Sequence, residues 1–163
     1  MSRASWSLVP AIAVYAITWC WVAVSAPDRV PMHWGAGGTV DRWGSRTEFL
    51  AFSFGTAAAV TALLVGLAVF ADRLPTSVIN TPHRDYWLSP EHRAAFNRIN
   101  RQMLFDIAAL TILLFAAINV FVVTDAGGGA VIGLVVAFLI AMAVVIAIPV
   151  RRLYTEPRSA GSR

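Results

Sequence analysis

A histidine between two carboxylates is the first arrangement in this chain with the means to do chemistry. His33 stands five residues after Asp28 and eight before Asp41. An imidazole exchanges protons near neutral pH, and together with carboxylate oxygens it can hold a divalent cation. A zinc centre, however, uses a larger and tighter ligand set than one histidine and two acids on a flexible spacing. The reading adopted is therefore structural: His33 and Asp41 hydrogen-bond each other or the local backbone and hold the segment's shape. No metal, cofactor or catalytic residue is assigned, and the chain is read as a non-enzyme.

Two further polar residues stand where polarity is expensive. Asp106 lies at the edge of an apolar run, with Gln102 one helical turn earlier and Arg98 or Arg101 within reach of it. Asn119 lies deeper in the same run and is expected to hydrogen-bond another helix, a contact worth about 0.6–2 kcal/mol. One acid and one amide, with no broken-helix repeat beside them, do not make a transport path.

The elements that position these residues follow from composition. Of 163 residues, 58% are hydrophobic and 13% charged, and the mean hydropathy is +0.66. Soluble domains carry about 25% charge, so the solvent here is a bilayer. A hydrocarbon core of about 30 Å needs roughly 20 apolar residues of helix, and four runs qualify. They are residues 8–26, 49–71, 107–124 and 126–150. The expected fold is an all-α, four-helix transmembrane bundle forming a single domain over 1–155. It carries a structured outer cap at 27–47, a cytoplasmic loop at 72–106 with an amphipathic helix, and a disordered tail at 156–163. Pro10 and Pro149 fall near span ends, where a missing N–H does least harm. The stretch Asp125–Gly129 makes a tight turn that pairs the last two spans. Ala57–Ala59, Ala62, Gly66 and Ala116–Ala117 permit close helix approach.

Arginine sets the orientation. Every basic residue is Arg, and ten of the 13 lie before the first span, between the second and third, or after the fourth. Arg29, Arg42 and Arg46 are the three on the other side. The positive-inside rule then places both termini in the cytoplasm of a multi-pass cell-membrane protein. The absence of Lys beside Ala/Val-rich spans points to a bacterial, GC-rich origin. A cleaved signal peptide ending at Val24-Ser25-Ala26 is the minority reading, because Pro27 would follow the cut and Trp19 and Trp21 are bulky for such a segment. Cys20, alone and inside an apolar run, is a small hydrophobe with no disulfide partner in the chain.

The cap combines Pro27 and Pro31, which stiffen its start, with Gly35, Gly37 and Gly38, which permit positive φ and a tight reversal. Trp34 and Trp43 suit headgroup depth. On the cytoplasmic side, Ser89, Pro90 and Glu91 read as N-cap, first helical position and acidic first turn. The helix they start runs on into the third span. Tyr86 and Trp87 read as interfacial anchors, and Arg93, Arg98 and Arg101 as contacts to anionic lipid or a cytoplasmic partner, each arginine worth about 1 kcal/mol at such a surface. Nucleic acid is not an expected partner, since the arginines are few and close to the membrane.

The stretch Pro27-x-x-Val-Pro31-x-His33-Trp34-x-x-x-Gly38-x-x-Asp41-Arg42-Trp43-Gly-Ser-Arg46 resembles the signature of the DUF1648 membrane domain. That domain also forms the N-terminal part of SdpI-type proteins, which give immunity to a secreted sporulation-delaying toxin. The segment Asn80-Thr-Pro-His-Arg-Asp-Tyr-Trp-Leu-Ser-Pro-Glu-His-Arg93 resembles a stretch of small stand-alone members. The resemblance implies that Pro31, His33, Trp34, Gly38, Asp41, Arg42, Trp43 and Arg46 structure the cap or bind a ligand there. The expected function is sensing of, or immunity to, an extracellular peptide or toxin through the cap. The alternative is a structural or accessory subunit of a larger membrane complex. The expected partners are the lipid bilayer and either such a peptide or another membrane protein.

Overall fold

Among the described residues four helices are long and apolar enough to cross a membrane, which makes the chain a multi-pass, mainly helical membrane protein. The computed structural model describes residues 7–155, so Arg3, Arg158, Arg163 and the tail from 156 lie outside the described residues. The spans are α1 (Leu8–Ser25), α2 (Arg46–Phe70), α4 (Arg93–Thr124) and α5 (Gly128–Tyr154). A hairpin of β1 (Arg29–Trp34) and β2 (Val40–Ser45) joins α1 to α2. Two 3-10 turns, Ala71–Arg73 and Thr76–Val78, and the one-turn helix α3 (Arg84–Trp87) join α2 to α4.

The helices run past the apolar segments at several ends. Helix α2 starts at Arg46 rather than Phe49, because Ser45 supplies an N-cap oxygen to the Glu48 N–H at 3.1 Å. Helix α5 begins at Gly128 and continues through Pro149 to Tyr154, so that proline sits inside the helix. Helix α4 has 32 residues, about 48 Å at 1.5 Å per residue, and so outruns a 30 Å hydrocarbon core. Its start corrects the expected cap at Ser89. The helix begins at Arg93, and the Ser89 hydroxyl pairs instead with His92 Nδ1 at 3.0 Å, while the Ser89 carbonyl accepts from Arg93 N–H. Glu91 in that turn has its carboxyl held below the ordinary value, first by its own backbone N–H and then by Ser89.

Helix α4 is the hub of the bundle. It packs on α1, α2 and α5, whereas α1 and α2 meet at few places, and α2 and α5 flank α4 with little mutual packing. One core joins Leu8, Ala11 and Tyr15 of α1 to Ala57 of α2 and to Ala108, Ala109, Ile112 and Ala116 of α4. Alanine at these crossings lets backbones approach closely, which drives association where lipid removes the hydrophobic drive. Ala58, Ala59, Ala62 and Gly66, by contrast, face outward on α2 and take no part in this core. A second core beneath the hairpin gathers Val22, Ala26, Val30, Phe49 and Val122. Large apolar side chains such as Leu139 and Ile140 of α5 are about 60% exposed. That pattern would be a liability in water and is ordinary in lipid.

Candidate functional site

The cap at one end of the bundle is an antiparallel β-hairpin. Its register pairs Arg29 with Ser45 and Pro31 with Trp43, then slips twice between Pro31 and Trp34. The turn closes through Gly35 N–H to the Thr39 carbonyl and Gly38 N–H to the Gly35 carbonyl, both 2.8 Å. Of the three glycines expected to take positive φ, Gly38 does so, at +74°.

Ionic ties hold the hairpin to the helices. Arg46 donates to the Ala26 carbonyl at 2.9 Å and to Asp28 Oδ1 at 3.2 Å, clamping the foot of β1 to the start of α2. Arg42 pairs with Glu48. His33 Nδ1 meets Asp41 Oδ1 at 2.6 Å across the hairpin. Asp28 is thus engaged by Arg46 and does not join the His33–Asp41 pair. Among the described residues no three His, Cys, Asp or Glu side chains gather as a metal-binding group.

The tip of the hairpin rests on the start of α5. A Cβ added to Gly38 would lie 2.8 Å from Gly128 Cα, and one added to Gly128 would strike the Gly38 carbonyl. Two bare backbones meet here, so both positions need glycine for contact, and Gly38 needs it for its positive φ as well. The hairpin therefore bridges α2, into which its second strand runs, and α5, on which its tip sits.

Beneath this bridge lies an apolar crevice of about 290 Å³, near the lower end of the roughly 300–1,000 Å³ of ligand pockets. Met32, His33 and Trp34 of β1 roof it. Phe49, Phe52 and Ser53 of α2 line one side, and Val131, Leu134 and Val135 of α5 the other. Leu114, Phe115, Ile118 and Phe121 of α4 form the back.

Ser53 also belongs to a closed polar ring through three helices. Asn119 of α4 is fully buried; its Nδ2 donates to Thr18 Oγ1 at 3.2 Å, and its Oδ1 accepts from Ser53 Oγ at 3.3 Å. Ser53 Oγ lies 3.1 Å from the Tyr15 hydroxyl, and Thr18 donates to the Tyr15 carbonyl at 3.0 Å. Since Ser53 has one hydrogen and gives it to Asn119, Tyr15 is the donor to Ser53. Tyr15, Thr18 and Ser53 were not singled out from the sequence; their signal was polarity inside apolar runs at matching depth.

At the opposite end the partners differ from those expected. Asp106 Oδ1 accepts from Gln102 and from Ser7, the residue before α1, each at 2.8 Å. Arg101 turns instead to Asp72, and Arg98 is exposed. Arg93 donates to the Leu74 carbonyl at 2.9 Å. Trp87 is the clearest correction to the interfacial-anchor reading. It is buried with Phe96 and Leu153, and its indole N–H reaches the Leu153 carbonyl at 2.9 Å, locking α3 to the end of α5. Tyr86 is half-buried and stacks on His92 with ring centroids 3.8 Å apart.

Residues 11–56 match the family described as Domain of unknown function (DUF1648). The matched region takes in most of α1, the whole hairpin and the first turns of α2, including Tyr15, Thr18 and Ser53. The chain thus carries a DUF1648 domain. No curated protein and no solved structure matches it.

Proposed function

We propose that this DUF1648-domain protein is a non-enzymatic cell-membrane protein that recognises an extracellular peptide or toxin at the hairpin, either sensing it or protecting the cell from it. One observation carries the reading. The hairpin is fastened at its foot by Arg46 and at its tip by Gly38, yet Trp43 remains 48% exposed beside an outward His33–Asp41 pair. An ordered, exposed, aromatic and hydrogen-bonding surface suits recognition, and a rigid one binds at lower entropic cost. The DUF1648 match over the same residues adds to that support.

The test is survival. Susceptible bacteria expressing the chain are challenged with a culture supernatant containing a secreted sporulation-delaying type of toxin. Protection relative to empty vector is expected, and Trp43→Ala should lower it at least tenfold with membrane levels unchanged. Equal killing of the expressing and empty-vector cells would remove the immunity arm, and no binding of the same toxin to the purified protein would remove the sensing arm.

Recognition from outside requires the hairpin to face out, as the arginine asymmetry supports. In a Cys20→Ala background, a membrane-impermeant maleimide applied to intact cells should label Ala36→Cys and spare Pro90→Cys. The reverse pattern turns the protein over. The accessory-subunit reading draws on a different feature, the outward flank of α5, where Leu153 is the one buried residue. A stoichiometric membrane partner on native purification would favour it.

A further inference from the structure

We infer that the crevice under the hairpin is a specific site for one acyl chain of a bilayer phospholipid, taken in sideways from the leaflet nearest the hairpin. This goes beyond recognition at the hairpin's outer face and does not depend on it. Three observations carry it. The crevice exists because α2 and α5 both pack on α4 but little on each other, which leaves a wedge whose back is α4. The hairpin closes the top of that wedge by reaching across to Gly128, so access from above is blocked by Met32, His33 and Trp34. The walls are mostly aromatic and aliphatic, and water does not fill such a space well, because it finds fewer hydrogen-bonding partners there than it needs.

A wedge of this kind sits among membrane-crossing helices, so hydrocarbon is the medium at hand to fill it. Its polar lining is confined to two places. His33 stands at the hairpin end, where Asp41 holds Nδ1 and leaves Nε2 as the ring's other hydrogen-bonding atom for a lipid head. Ser53 stands on the α2 wall, its hydroxyl already engaged by Tyr15 and Asn119. A single chain with its head toward the hairpin therefore meets polar groups where the lipid is polar and apolar walls elsewhere.

The full chain is reconstituted in phosphatidylcholine vesicles containing a small fraction of phosphatidylcholine with a diazirine on one acyl chain. After irradiation, adducts are mapped by mass spectrometry. Leu114, Phe115 and Ile118 are expected to carry several-fold more adduct per residue than Leu139 and Ile140, which are more exposed to bulk lipid. Val135→Trp, at a half-exposed position on the rim, should cut crevice adducts at least fivefold and leave those at Leu139 and Ile140 unchanged. Val131→Phe serves as the gentler variant if the tryptophan impairs folding. Adducts that follow exposure alone, or a crevice that stays unlabelled, would show ordinary boundary lipid and overturn the proposal.

Discussion

Substituting valine for Gly128 is expected to unseat the hairpin. A β-carbon there runs into the Gly38 carbonyl, and the obstacle is backbone, which cannot rotate aside as a side chain would. Overpacking of this kind costs about 1–3 kcal/mol. Gly129 is the matched control. It is the next residue of the same helix, and an added Cβ meets nothing within 4 Å. Both variants place the same β-branched residue in the first turn of α5, so a difference between them isolates the seat. Thermal unfolding in detergent should show the loss in Gly128→Val and not in Gly129→Val, with faster proteolysis in the 35–39 turn of the former. Equal melting and equal cleavage would mean the contact contributes nothing.

Asn119 should show the next largest effect, with a dependence on pH that a packing defect would lack. Asn119→Leu keeps the volume close and removes the two interhelical bonds that Asn119 makes to Thr18 and Ser53. Thr18 still has the Tyr15 carbonyl and Ser53 the Tyr15 hydroxyl, so neither is orphaned. The expected loss is about 1–3 kcal/mol, from two contacts of roughly 0.6–1.7 kcal/mol each. Asn119→Asp should be worse at neutral pH, since an acid charged at the centre of a helix bundle in a bilayer costs about 2.5–3.5 kcal/mol. Protonation removes that charge, so the penalty falls away as pH drops and the group becomes neutral. Equilibrium unfolding at two pH values checks both signs. A leucine variant as stable as the parent would show that the ring fixes geometry without adding stability.

What could be read from residue order was what the bilayer dictates. The spans are legible because each is an uninterrupted apolar run of the length that hydrocarbon demands. The hairpin was legible as a folded cap but not as strands. Arg29–Trp34 and Val40–Ser45 show no clean alternation, and their register slips twice within six residues. Trp87 carries the composition of an interfacial anchor, and its true place depends on Leu153, which arrives at the far end of α5. Such long-range pairs leave no local periodicity. Asn119 was visible as a polar residue in need of a partner. Its partners were readable in principle, for Thr18 lies seven residues before the end of α1 and Ser53 seven after the start of α2, at equal depth beneath the hairpin. The crevice had no signature, because it arises from two helices failing to meet.

The seat on Gly128 also constrains how the protein is made. Synthesis runs from the amino end, so the first two helices and the strands between them exist while most of α4 and all of α5 are still unwritten. During that interval Ser53 and Thr18 lack the amide that will join them, and the Gly38 tip has nothing to rest on. Until then Thr18 and Ser53 have only their contacts to Tyr15. The seat for the hairpin tip therefore arrives only with α5, the last helix of the bundle.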